Sequence, residues 1–94
     1  MTFLEIKNKF EDEINRSFEL LEMHYAPYAF GSGMIAYRIN GILIKIIYDG
    51  KENQVQLLRT KEAMNYSTSV SWIILYTGLP ADLFTDQALL SIKE

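Results

Sequence analysis

The chain contains no cysteine, which excludes disulfides and thiolate metal sites and suits a reducing, cytoplasmic location. Histidine is nearly absent too. His24 stands alone, so zinc would need a carboxylate-rich site that the spacing does not supply, and no calcium loop of alternating oxygen ligands around a glycine is present. No metal and no cofactor is expected. Apolar runs fall far short of the roughly 20 residues a bilayer requires, and no basic and hydrophobic leader opens the sequence, so neither membrane spanning nor secretion is expected. A concentration of basic residues is also lacking. Net charge is −3, and the acids and bases are scattered apart from Glu11-Asp12-Glu13. Phosphate-backbone binding draws on clustered Lys and Arg, so nucleic acid is not an expected partner.

The 94 residues are 49% hydrophobic and 22% charged, the balance of an ordinary folded globular chain. A chain of this size buries roughly 60 to 70% of its unfolded surface around one core, so residues 1–94 read as a single α+β domain. Its most apolar stretch is divided by two turn dipeptides, Asn40-Gly41 and Asp49-Gly50. Type I′ hairpin turns need positive φ at both central residues, and such dipeptides supply it. A two-residue loop at Asn40-Gly41 sets Ile39 opposite Ile42, Tyr37 opposite Ile44, Ile35 opposite Ile46 and Gly33 opposite Tyr48. Carrying the register through Asp49-Gly50 places Val55 beside Ile44 and Leu57 beside Ile42, and a four-residue loop would keep the same parity. One face of the resulting three-stranded meander is almost wholly apolar. The other is mixed, with Met34, Ala36, Arg38, Leu43, Lys45, Ile47, Glu52, Gln54 and Gln56.

Thr2 followed by Glu5 has the form of a capping box. Phe3, Ile6, Phe10, Ile14, Phe18 and Leu21 then recur at three- and four-residue steps, which predicts a long helix running to about Tyr25, with Pro27 beyond it. At about 1.5 Å per residue that helix exceeds 30 Å, so it overhangs the sheet or bends. After the third strand, Thr60 to Ser71 reads as a loop with one helical turn. Ser69 can cap a short helix from Val70 to Thr77 ended by Gly78, although Val70, Ile73 and Ile74 also fit a fourth strand. Pro80 to Ile92 suggests one or two short helices, the second capped at Thr85. The expected order is αβββαα, with the N-terminal helix covering the apolar sheet face.

Candidate chemistry is sparse. Phe30-Gly31-Ser32-Gly33 is the segment closest to an active-site loop, but a dinucleotide loop leads into a helix and this one leads into a strand. Glycines easing entry into the strand explain it better. His24, placed near a helix C-terminus in this reading, is better explained by a local structural role than as a proton carrier. Consecutive helical residues splay by about 100°, so Glu11, Asp12 and Glu13 do not converge on one atom and read as a solvated face. Asp49 fits turn chemistry before catalysis.

Contact residues are more readily found. Arg38, Lys45, Gln54 and Gln56 on the mixed face suit an acidic partner or an ordinary solvated sheet surface. Met34, Leu43 and Ile47 form an apolar patch beside them. Tyr25 and Tyr28, with Phe30, fall between helix and sheet, where they can ring a contact site. The chain therefore reads as a small non-catalytic protein-binding or regulatory module, for instance an immunity-type inhibitor. The alternative is a structural homo-oligomer such as a homodimer, joined through exposed strand edges or the outer apolar patch. A small-molecule-binding protein or an enzyme built from Ser32, His24, Tyr28 or Arg38 ranks below both.

Overall fold

A computed structural model describes residues 1–60 and 71–93, and the order along the chain is α1 (Phe3–Ile14), β1 (Phe18–Ala26), β2 (Ser32–Ile39), β3 (Ile42–Asp49), β4 (Gln54–Thr60), β5 (Trp72–Gly78), α2 (Pro80–Leu83) and α3 (Gln87–Lys93). The α+β class is as expected, but the antiparallel sheet has five strands rather than three, in the order β1-β2-β3-β4-β5. The added strands flank the expected meander, one on each side.

The helix begins as its capping box dictates. Thr2 N–H donates to Glu5 Oε1 at 2.8 Å, and Glu5 N–H donates to Thr2 Oγ1 at 3.1 Å. These bonds favour the ionised carboxylate and hold Glu5 below the usual carboxylate range, with the Thr2 backbone N–H as the largest cause. The expected extension to Tyr25 is overturned. Asn15 takes left-handed φ 47° and closes the helix after 12 residues, about 18 Å, which removes the overhang. Phe3, Ile6, Phe10 and Ile14 are the buried stripe. Phe18 and Leu21, which extended it in sequence, lie instead in β1.

Asn40 and Gly41 adopt φ 51° and 78°, as a type I′ turn requires. Pairing of β2 with β3 follows the expected register throughout, from Ile39 opposite Ile42 to Gly33 opposite Tyr48. The turn after β3 departs from expectation, because residues 50–53 separate the pair Asp49 and Gln54. Asp49 Oδ1 accepts from Lys51 N–H at 3.0 Å and from Glu52 N–H at 3.4 Å, and Asn53, not Gly50, carries the left-handed φ. The longer loop slides β4 so that Val55 faces Tyr48 and Leu57 faces Ile46, while parity keeps both on the apolar face. Ile35, Tyr37, Ile39, Ile44, Ile46, Val55 and Leu57 are buried there with α1, Leu83, Leu89 and Ile92.

Gly50 serves a different need. A Cβ there would lie 1.8 Å from the Phe30 carbonyl oxygen, and Gly50 N–H donates to Ser32 Oγ at 2.9 Å. The β1–β2 and β3–β4 turns therefore lean on each other at one end of the sheet. At the other flank, the expected helix ending at Thr77 is replaced by β5, whose Ile73 and Ile74 are β-branched and pair with Arg59 and Leu58. Gly78 belongs to that strand and does not take a left-handed φ. Pro80 opens α2 as expected, whereas Asp86 rather than Thr85 serves the start of α3, its Oδ1 accepting from Ala88 N–H at 2.8 Å. The readings made on residues 61–70, including the Ser69 cap, lie outside the described residues.

Candidate functional site

The residue types that could meet another molecule fall on two surfaces, the sheet face away from the helices and the edge formed by β1. Register assigns each side chain. Glu19, Glu22 and His24 of β1 oppose Arg38, Ala36 and Met34 of β2 on the outer side, while Phe18, Leu20, Met23 and Tyr25 oppose Ile39, Tyr37, Ile35 and Gly33 on the helix side. The two halves of β1 stay in phase because Leu21 is a bulge, with Leu20 opposite Tyr37 and Glu22 opposite the next residue, Ala36. His24 thus stands on a strand and not at a helix end, with Nε2 at 3.4 Å from Glu22 Oε1.

The mixed face brings Met34, Arg38, Leu43, Lys45, Ile47, Gln54 and Gln56 to one side of the sheet, as the meander implied. Its two expected cations are already engaged. Arg38 Nη1 lies 2.6 Å from Glu19 Oε1, and the Lys45 ammonium sits 4.3 Å from the centre of the Trp72 ring. Leu43 shares that face but is only 1% exposed, so it presents no surface to a partner. Gln54 is exposed near the Asp49 turn, and Gln56 is half-buried opposite Ile47.

Tyr25 belongs to the helix side, where its ring stacks on Phe3 at 5.6 Å between centroids. Tyr28 projects from the β1–β2 turn and is 91% exposed, next to the exposed Phe30. Between this turn and the ends of β2 and β3 lies an open depression of about 370 Å³, lined among others by His24, Tyr25, Tyr28, Met34 and Ile47. Ser32 lines it too, with its Oγ engaged in accepting the Gly50 N–H.

A partly buried hydrogen bond ties the sheet to α1 on the helix side. Tyr37 Oη donates to Glu11 Oε2 at 2.8 Å, and Lys7 Nζ approaches the same oxygen at 2.9 Å. Burial raises the Tyr37 phenol above its ordinary value, and the Glu11 hydrogen bond and charge raise it further. Glu11 is therefore tied to the sheet and is not simply part of a solvated face. No group of three or more His, Asp or Glu side chains converges among the described residues, and no described helix is long and apolar enough to cross a membrane.

Phe18, Leu20 and Met23 are the surface residues that the helical reading missed. With Tyr25 they form one apolar line along the edge strand, each between 39% and 44% exposed. β1 has no strand partner on its far side among the described residues, so this line runs beside a row of backbone N–H and C=O groups open to pairing. The signal was in the sequence as period-two alternation, Phe18-Glu19-Leu20 and then Glu22-Met23-His24-Tyr25, broken by one residue at Leu21. Comparison with protein-family models, with curated proteins and with solved structures finds no match for this chain.

Proposed function

We propose that the domain is a non-catalytic protein-binding or regulatory module, of the kind that immunity-type inhibitors exemplify, and that it meets its partner along β1. The observation that carries this reading is the open β1 edge with Phe18, Leu20, Met23 and Tyr25 exposed along one side of it. An unpaired edge offers main-chain hydrogen bonds to an incoming strand, and alternate apolar side chains supply contact area and register. Soluble chains normally blunt such an edge with charge, proline or a cover. Glu19, Glu22 and the bulge at Leu21 serve the outer side of β1, but among the described residues its helix-facing positions carry no charge, proline or covering strand. Tyr28 and Phe30 continue the exposed aromatic surface around the turn, residue types favoured at protein interfaces.

The outer face contributes less to this proposal, because Glu19 holds Arg38 and the Trp72 ring holds Lys45. The test is a native pull-down with the whole chain as bait, beside the variant Leu20→Asp. Recovery of one protein at fixed stoichiometry by the parent chain, whether a different protein or a second copy of this chain, and its loss from the variant supports the reading. Equal recovery by both chains, or no specific protein with either, counts against it. Self-association is the second reading, and the pattern of side chains on β1 bears on it directly.

A further inference from the structure

We infer that the partner of the β1 edge is a second copy of this chain, paired antiparallel through β1 about a two-fold axis beside Met23. This rests on the reading of β1 as a protein-contact strand and names its occupant. In an antiparallel pair related by such an axis, directly opposed residues must share a sheet face, and one residue must oppose its own copy. Residue positions along β1 are counted past the bulged Leu21, as its pairing with β2 requires.

An axis at Met23 then sets Leu20 against Tyr25 of the second copy and Met23 against Met23, so the apolar line continues across the junction on the helix side. On the outer side it sets Glu22 against His24 of the second copy, twice by symmetry, and Glu19 against Ala26. At both places a carboxylate meets an imidazole that already lies 3.4 Å from the Glu22 of its own copy, so the four side chains form one cluster, while Glu19 remains bonded to its own Arg38. Pro27, which has no N–H to give a ladder, falls just outside the paired length. The neighbouring registers lack this match. An axis at Glu22 brings two carboxylates face to face, one at Leu20 opposes Glu19 to Glu22, and one at His24 opposes the two imidazoles and draws Pro27 into the ladder. Joined at Met23, two five-stranded sheets become one continuous antiparallel sheet with both β1 edges closed.

Because the chain has no cysteine, one introduced thiol reports the register without interference. At the proposed axis, Met23 and its copy have Cα atoms about 4.5 to 5.5 Å apart, within the range a disulfide spans. Glu19 and its copy stand about 20 Å apart, six ladder steps away. Met23→Cys is expected to form a covalent dimer under mild oxidation and Glu19→Cys to stay monomeric. Sedimentation of the parent chain is expected to show a reversible dimer. Glu22→Lys and His24→Glu should each weaken that dimer about three- to tenfold, and the double variant should recover most of the loss, since the two cross-copy pairs are reversed together. Circular dichroism of each variant confirms that the fold persists.

A parent chain that stays monomeric at several hundred micromolar overturns the second copy as occupant. If Leu20→Asp nevertheless abolishes capture of a different protein, the contact-strand reading survives that failure, and if it does not, both fall. A dimer that cross-links equally at Glu19→Cys, or a double variant no tighter than the single ones, overturns the proposed register.

Discussion

Replacing Gly50 with alanine tests whether the two turns at the Tyr28 end of the sheet support each other. A Cβ built there lies 1.8 Å from the Phe30 carbonyl oxygen, 2.7 Å from the Phe30 carbonyl carbon and 3.3 Å from Ser32 nitrogen. All three are backbone atoms of a turn in which Phe30 and Gly31 hold φ 58° and 75°, so no side-chain rotation relieves the overlap. The turns must separate by more than an ångström, which also stretches the Gly50 N–H bond to Ser32 Oγ. Overpacking costs about 1 to 3 kcal/mol and the lost hydrogen bond about 1 more, so Gly50→Ala should destabilise by about 2 to 4 kcal/mol. Gly41→Ala makes the contrast. Nothing lies within 4 Å of a Cβ at Gly41, and its φ of 78° leaves only left-handed strain, about 1 kcal/mol. Urea unfolding followed by circular dichroism should lower the midpoint further for Gly50→Ala than for Gly41→Ala. A loss within about 0.5 kcal/mol at Gly50, or the reverse order, would refute this account of the turns.

Ile46 is fully buried on the central strand, so Ile46→Ala should cost about 2 to 5 kcal/mol by the same unfolding measurement. Tyr37→Phe removes a hydrogen bond to a carboxylate and should cost about 1.5 to 3 kcal/mol near neutral pH, measured in urea. The raised Tyr37 phenol keeps its proton in the folded chain while the unfolded chain releases it, so this contribution is complete below the ordinary value of 10.0 and is lost as pH rises beyond it. Alkaline unfolding monitored by near-ultraviolet dichroism should accordingly be shallower in Tyr37→Phe than in the parent. Thr2→Ala breaks one half of the capping box and should lower stability by about 1 kcal/mol. Lowering pH through the depressed Glu5 value weakens the other half, the Thr2 N–H bond to the Glu5 carboxylate, so thermal scans of Glu5→Gln should show less acid dependence.

The central hairpin was legible because Asn40-Gly41 couples a local backbone demand to an alternating pattern, and both specify one register. The next turn was half legible. Asp49 did nucleate it through its side chain, but Gly50 is glycine because a neighbouring turn approaches it, a tertiary reason with no local signature. β1 reads as helix in sequence because Phe18 and Leu21 fall at helical spacing after Ile14. A left-handed Asn15 stops the helix, and pairing with β2 decides the conformation beyond it. The bulge at Leu21 further disguised the alternation by shifting its phase. That one error hid the surface on which the functional proposal rests. Tyr25 and Tyr28 stand out in sequence as aromatic residues in a connection, whereas a helical stripe takes in Phe18 and passes over Leu20 and Met23. For β5, the β-branched pair Ile73-Ile74 is a better guide than the helical cap and stop signals around it.

Residue-resolved amide hydrogen exchange compares the β1 edge with every other strand in one experiment. As protein concentration rises, or as a bound protein is added, amides of Glu19 to Ala26 that point away from β2 should gain protection, while those on the far side of β5 keep their rates. Unchanged β1 exchange throughout, or protection appearing at β5 instead, would contradict the assignment of β1 as the contact strand.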